Sequence, residues 1–159
     1  MNINEAFSIL MKFEGGNKIT TLSGDKGGLT KYGISQTAHP GIDIAALTEE
    51  QAMDIYAKEY WVPSHCTDLK PELQYIHFDT AVNCGVGEAI KILQRAAGVK
   101  DDGIIGPLTI QAARYISLNA YAEQRINYYA GIVIKDPSQA RFLKGWLNRV
   151  NAIVAMNLS

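Results

Sequence analysis

The second half of the chain constrains the fold most, because its apolar residues recur at helical spacing almost to the end. Apolar and small residues of 71–84 trace one helix face, and Gly85 should end that helix. Pro107 and Pro137 suit the first positions of later helices. Further helices are predicted over 88–97, from 107, over 119–134 and from 136 onwards. This half therefore favours a mostly helical fold.

The N-terminal residues predict another amphipathic helix, which ends in an unusual way. Apolar residues recur at intervals of three and four over residues 2–13, and Glu14 continues that stripe. Gly15 and Gly16 then supply the backbone at which helices commonly stop. Glu14 is therefore expected to be partly buried at the negative end of a helix dipole, and both effects would raise its pKa. The alternative is a glutamate that frays into solvent.

Residues 18–35 differ in composition, since Thr, Gly and β-branched residues dominate around the turn cluster 23–28. They predict a β-hairpin or a small three-stranded patch. Thr48 and Gln51 then form the pattern of a capping box, and the helix they open should stop near Pro63. The predicted fold class is α+β, mostly helical. We expect one domain of two sequence segments, a catalytic segment 1–70 and a helical segment 71–159.

Composition excludes several kinds of partner. The 159 residues carry 15 basic and 16 acidic side chains, so bulk charge suggests neither a nucleic-acid partner nor a polybasic membrane anchor. A hydrophobic content of 47% is that of a globular protein. The first residues resemble neither a secretory signal nor a membrane helix. We expect cytoplasmic synthesis and no stable membrane insertion.

The cysteines and histidines do not form a recognisable reactive site. A single pair, Cys66 and Cys84, without a signal peptide predicts two reduced thiols. No pair among these cysteines, His65 and His77 has a compact ligand spacing, so we expect neither a metal nor another cofactor. A Cys–His hydrolase is disfavoured, because Cys84 and His77 share an apolar helix face.

A carboxylic acid at a helix end, followed by a β-patch and a helical body, suits glycosidic bond cleavage. That reaction needs a proton donor and usually a second group that activates water or stabilises the transition state. Glu14 is the candidate donor and Asp25, in the predicted turn, the candidate base or electrostatic stabiliser. The Thr30 hydroxyl is a candidate for positioning water.

These residues resemble the motif of glycoside hydrolase family 108, the phage-endolysin type of N-acetylmuramidase. Glu14-Gly15-Gly16 corresponds to its E-G-G block, and residues 25–35 (DKGGLTKYGIS) correspond to D-x-G-G-x-T-x-x-G-I-[ST]. The downstream blocks resemble the family's predicted peptidoglycan-binding segment: FDTAVNCG at 78–85, the 93–94 pair, 102–109 and 142–149. Asn17, where the family commonly has an aromatic residue, and the longer loop 18–24 depart from the pattern.

The resemblance implies a lysozyme-like fold and hydrolysis of the β-1,4 bond between N-acetylmuramic acid and N-acetylglucosamine. It also implies that Glu14 is the catalytic glutamate, and that an endolysin of phage or prophage origin lyses the host. Such an enzyme would depend on a holin and would act on the wall in the periplasm after membrane permeabilisation. Its partner would be the peptidoglycan glycan strand, and we expect a monomer.

Three further residues are candidates for substrate binding. Tyr32 either stacks on a sugar or packs the β-patch against the body. Asp79 and Asn83, four residues apart on one helix, either line a cleft or make local helix-end hydrogen bonds. The C-terminal aromatic residues fit a core better than a carbohydrate platform; they are Tyr121, Tyr128, Tyr129, Phe142 and Trp146.

Two other functions remain open at this stage. One is a module that binds peptidoglycan without cleaving it. The other is a lytic transglycosylase that uses Glu14 alone and releases an anhydro-sugar. For the hydrolase itself, the choice between retention and inversion depends on the separation of the two carboxyl groups, which the sequence does not give.

Overall fold

The computed structural model describes residues 1–16, 18–21, 28–156 and 158. The chain forms two compact units, one of Asn2–Glu59 and one of Tyr60–Ser159 together with Met1. The boundary between the two units, at residues 59–60, precedes residue 70, the predicted end of the catalytic segment. The first unit combines helices with a small antiparallel sheet, and the second is helical. The predicted α+β class, mostly helical, is confirmed.

In the first unit, helix α1 spans Ile3–Glu14 and helix α2 spans Glu49–Tyr56. Each begins with a capping box, in which the cap side chain accepts from the third backbone N–H and the third side chain accepts from the cap N–H. The box on α2 is the predicted pair Thr48 and Gln51, and the box on α1 joins Asn2 to Glu5. A π-helical turn, Ala57–Trp61, follows α2.

Three short antiparallel strands lie between these helices: β1 (Thr20–Thr21), β2 (Leu29–Lys31) and β3 (Ile34–Ser35). Their order in the sheet is β1-β2-β3, so the predicted three-stranded patch is confirmed. The register pairs Thr20 with Thr30 and Thr30 with Ser35. Residues 23–27 of the predicted turn cluster lie outside the described residues.

The second unit is built around helix α3, Pro71–Cys84, which is buried at every position from Leu73 to Ala81. A 3₁₀ segment, Cys66–Asp68, leads into it. Three later helices pack against α3, namely Val86–Ala97, Leu118–Lys135 and Ala140–Met156. The remaining helices are α4 (Val86–Ala97), α5 (Pro107–Ala113), α6 (Leu118–Lys135) and α7 (Ala140–Met156), with a 3₁₀ turn Pro137–Gln139 before α7.

The aromatic residues of the last two helices divide between core and surface. Tyr121 and Tyr129 are buried, as expected for core residues. Phe142 is 42% exposed, because the first turn of α7 lies at the surface, while Val150 and Ile153 further along are buried. The half-buried Trp146 ring stacks on Tyr129 with centroids 4.8 Å apart. The interpretation of these aromatic residues as core is therefore correct for Tyr121 and Tyr129 and wrong for Phe142.

His77 on α3 is the predicted core histidine, and its hydrogen bonds show which ring nitrogen carries the proton. Nε2 lies 3.0 Å from the Ser64 carbonyl oxygen and Nδ1 lies 2.8 Å from the Tyr121 hydroxyl oxygen. Because a carbonyl can only accept, Nε2 carries the proton and Nδ1 accepts from the hydroxyl. Burial lowers the pKa of His77 to about 4, against the opposing effect of the bond to Ser64. The ring is therefore neutral at pH 7.

We expect the protein to lose stability as the pH falls from about 6.5 to 4. An unfolded chain protonates His77 near pH 6.5, whereas the folded chain does so only near pH 4. The unfolded state therefore binds more protons in this window, so the free energy of unfolding rises with pH there, by roughly 3 kcal/mol in total. Urea unfolding at pH 4.5 to 7.5 measures it. His77→Gln should remove this part of the slope, and equal slopes in both proteins would contradict the assignment.

Candidate active site

Glu14 is the last residue of α1 and is exposed. The buried stripe of α1 consists of Ala6, Phe7 and Leu10 and ends before the last turn. Gly15 and Gly16 follow with φ of 81° and 65°, and the Gly16 N–H donates to the Met11 carbonyl at 3.0 Å. The expected burial of Glu14 is therefore wrong, because this left-handed pair ends the helix at the surface. The predicted helix end is confirmed.

The Glu14 side chain lies beside a tight turn that joins β2 to β3. Lys31 pairs with Ile34, so the loop has only two residues, and both Tyr32 (φ 52°) and Gly33 (φ 75°) have positive φ. Positive φ at both positions is required by a type I′ hairpin turn, in which a Tyr is unusual. A Cβ placed on Gly33 would lie 3.8 Å from both Cβ and Cγ of Glu14. The turn therefore lies next to the stem of the candidate acid.

Two aromatic side chains hold this turn in place. The Tyr56 hydroxyl, on α2, donates to the Tyr32 carbonyl at 2.8 Å. The Phe7 ring, on α1, lies 5.6 Å from the Tyr56 ring and 6.4 Å from the Tyr32 ring. Side chains of α1 and α2 thus hold the turn next to the C-terminal end of α1. The roles of Phe7, Gly33 and Tyr56 were not predicted from the sequence. The one sequence signal for the turn was the Tyr-Gly pair within the predicted β-patch.

Tyr32 itself is half-buried, so it both packs and remains accessible. Its ring contacts Phe7, and the Lys31 ammonium lies 5.6 Å from its centroid. Thr30, also half-buried, lies in β2 between Thr20 and Ser35. Directly paired residues of an antiparallel sheet share a face, so one face of the sheet carries three hydroxyl side chains. Asp25, the candidate second carboxylate, lies outside the described residues.

Gly33→Ala should destabilise the protein by about 1–3 kcal/mol and slow any reaction that uses Glu14. The substituted residue would need a left-handed backbone, and its Cβ would lie 2.5 Å from the Tyr56 hydroxyl oxygen. Urea unfolding measures the stability. Gly41→Ala is the matched control, since an added Cβ at Gly41 would meet nothing within 4 Å, and it should unfold like the wild type. If Gly33→Ala unfolded like the wild type, the turn would not be needed to shape this site.

The structure gives Asp79 a role other than lining a cleft. It is fully buried, and its carboxylate lies 2.8 Å from Nη2 of both Arg125 and Arg149. The Tyr75 hydroxyl donates to it at 3.3 Å. A carboxylate enclosed in this way cannot contact a glycan. The half-buried Asn83 donates to the Asp79 backbone carbonyl at 2.8 Å and to its carboxylate at 3.2 Å, which is the local helix-end bonding considered above.

The cysteines are unsuited to nucleophilic chemistry. Both are free thiols; Cys66 is buried and Cys84 is half-buried. Burial raises the pKa of both thiols, which disfavours the reactive thiolate. Within the described ranges, no group of three or more His, Cys, Asp or Glu side chains could hold a metal ion. A cavity of about 360 Å³ in the first unit lies between α2 and residues 42–47, and its described lining does not include Glu14.

Comparison with solved structures identifies the fold class of the chain. The structure of Brucella abortus SagA resembles the chain with a TM-score of 0.78 at 28% identity, over 98% of this chain and 92% of that one. The fold is therefore lysozyme-like. No curated protein sequence matches the chain significantly.

The family assignment follows from two adjacent segments. Residues 7–85 match the family described as glycosyl hydrolase 108, and residues 88–151 match the predicted peptidoglycan domain. Residues 7–85 therefore form a domain of the glycosyl hydrolase 108 family, and the protein is a glycoside hydrolase that acts on peptidoglycan. None of the helices in the described part of the chain is long and apolar enough to cross a membrane.

Proposed function

We propose that the protein hydrolyses the β-1,4 bond between N-acetylmuramic acid and N-acetylglucosamine, with Glu14 as general acid. The observation that carries the proposal is the position of Glu14. It lies inside the segment that matches glycosyl hydrolase 108, at an exposed helix end, with its stem next to the Gly33 turn. An acid on an accessible surface can meet the leaving oxygen of a polymer that is too large to enter an enclosed cavity.

In the proposed reaction the Glu14 carboxylic acid protonates the glycosidic oxygen as the bond to the anomeric carbon breaks. Water supplies the hydroxyl group of the new reducing end, and its proton is taken up by a base. We assign the second role, base or electrostatic stabiliser, to Asp25, which lies in sequence between the paired strands β1 and β2. Thr30, in the central strand, is proposed to position the water.

Tyr32 completes the proposed site as a sugar contact. Its ring is anchored on Phe7 but stays half-exposed, and it belongs to the same turn that lies next to Glu14. A ring held in this way can offer an apolar surface to a sugar at small entropic cost. At the level of the cell, we propose an endolysin role: holin-dependent release, action in the periplasm and host cell lysis by a monomer.

Fragment analysis of digested wall tests the proposed bond. Purified Gram-negative sacculi are incubated with the protein, and the soluble fragments are reduced with borohydride and analysed by mass spectrometry. Hydrolysis of the proposed bond gives muropeptides that end in N-acetylmuramitol. Fragments ending in N-acetylglucosaminitol or in anhydro-N-acetylmuramic acid would contradict it, and binding to sacculi with no soluble fragments would favour a non-catalytic module.

A further inference from the structure

The second unit contains a groove whose lining includes none of the residues assigned to the proposed active site. Its volume is about 620 Å³, and it lies between the 3₁₀ segment before α3 and helix α5. Eight described residues line it: His65, Asp68, Ile105, Gly106, Pro107, Ile110, Gln111 and Arg114. The six lining residues from Ile105 to Arg114 fall within the segment that matches the predicted peptidoglycan domain.

The lining combines an apolar strip with polar groups of different kinds. Ile105, Pro107 and Ile110 supply the apolar part. Arg114 is exposed, and no described residue forms an ion pair or a side-chain hydrogen bond with it, so its guanidinium is available to an external anion. Gln111 is likewise exposed and supplies an amide donor and acceptor. The Asp68 side chain, 55% exposed, supplies a negative charge.

The rim of the groove at His65 is held in a fixed conformation. His65 has φ 55° and ψ 35°, a left-handed conformation that is uncommon for a residue other than glycine. Its Nδ1 lies 2.9 Å from the Asp68 carboxylate, and its backbone carbonyl accepts from the Asp68 N–H at 3.0 Å. Strained backbone of this kind persists where the surroundings enforce it, and it clusters at binding sites. The groove therefore has a preformed wall.

These properties identify the chemistry of the occupant. Large aromatic rings can pack against the apolar faces of sugars, and none of the eight lining residues is Phe, Tyr or Trp. Short peptides need the groups that are present: an apolar strip for methyl groups, an amide for the backbone, a guanidinium for carboxylates and a carboxylate for an ammonium group. The stem peptide of peptidoglycan carries all of these partners. We propose that the groove binds the peptide stem and not the glycan.

This assignment rests on the proposed function, since it names the part of the wall that the second unit contacts. The test uses the full chain carrying Glu14→Gln, so that ligands are not cleaved, and two probes. One is the disaccharide–tetrapeptide muropeptide with a meso-diaminopimelate stem, and the other is chitotetraose, which has no peptide. Calorimetric titration should show that Arg114→Ala, added to that chain, weakens muropeptide binding by about tenfold or more, as expected for losing a charge-assisted hydrogen bond. Chitotetraose binding should be unchanged.

Arg141→Ala is the matched control, because Arg141 is another exposed arginine of the same unit and lies over the Phe142 ring, 4.6 Å from its centroid. It should bind the muropeptide as the parent does. Equal muropeptide affinity with and without Arg114, or amide NMR shifts at Ile105 and Ile110 caused by chitotetraose, would overturn the proposal. Muropeptide binding that depends on Arg114 supports the peptide-binding proposal even if the wild-type protein releases no muramitol-ended fragments. That second outcome contradicts only the proposed hydrolysis.

Discussion

Glu14→Gln should abolish wall cleavage while leaving the fold intact. The amide has the size of the acid but no proton to give to the leaving oxygen, and losing a general acid lowers rates by about 10²–10⁴-fold. Glu14 is exposed at the end of α1, so the free energy of unfolding should change by no more than about 0.5 kcal/mol. Release of soluble muropeptides from sacculi measures the rate, and urea unfolding measures the stability.

The matched control for this variant is Glu50→Gln. Glu50 is an exposed glutamate of the same unit, in the first turn of α2, and has no part in the proposed site. Its variant should cleave sacculi at the wild-type rate. If Glu14→Gln released muropeptides within a few-fold of the wild type, another group would have to be the proton donor, and the assignment of Glu14 would be wrong.

The helices could be predicted from the sequence because their ends are encoded locally. Thr48 with Gln51 forms a capping box that needs no tertiary contact, and Gly98, with φ 69°, ends α4 as such glycines do. The three-stranded sheet follows from the same kind of signal, composition bounded by turn residues. The glycine pair likewise encodes the end of α1 locally, so the position of Glu14 at the end of this helix was predictable.

The environment of Glu14 was not predictable, because burial depends on what the rest of the chain covers. Helical periodicity extended the buried stripe by one turn too many, and α1 reaches the surface there. The partners of the site come from distant positions: Gly33 and Tyr56 are brought to the end of α1 by tertiary packing. Helix periodicity left two roles open for Asp79, a cleft wall or local helix-end bonding, since it cannot show that α6 and α7 each bring an arginine to α3.

The charge cluster at Asp79 is important for the stability of the second unit, because a buried guanidinium there has one carboxylate as its counter-ion. Arg125 is fully buried, and its Nη2 lies 2.8 Å from the Asp79 carboxylate. Its Nε donates to the Tyr129 hydroxyl at 3.1 Å, while neither Nη1 nor Nη2 has a hydrogen-bond partner among the described residues, so Arg125 meets Asp79 as an ion pair. Arg149, with its side chain 17% exposed, donates to the same carboxylate from Nε and Nη2. The two arginines are thus held on helices α6 and α7 by one group on α3.

Asp79→Asn should therefore destabilise the protein by about 3–5 kcal/mol, the cost of leaving a buried charge without its counter-ion. The amide keeps the size of the side chain but removes the negative charge, so cavity formation does not contribute. Urea unfolding at pH 7 measures the loss. Asp101→Asn is the control, because Asp101 pairs with Arg95 at the surface, where ion pairs contribute little, and it should unfold like the wild type.

A double variant separates electrostatics from general disruption at this position. Arg125→Met replaces the buried guanidinium by an apolar chain of similar length, and a buried ion pair replaced on both sides is often tolerated. Asp79→Asn combined with Arg125→Met should therefore be more stable than Asp79→Asn alone, although Arg149 still lacks this acceptor. If the double variant lost the sum of the two single effects, Asp79 and Arg125 would be energetically independent, and packing at α3 rather than charge would account for the destabilisation.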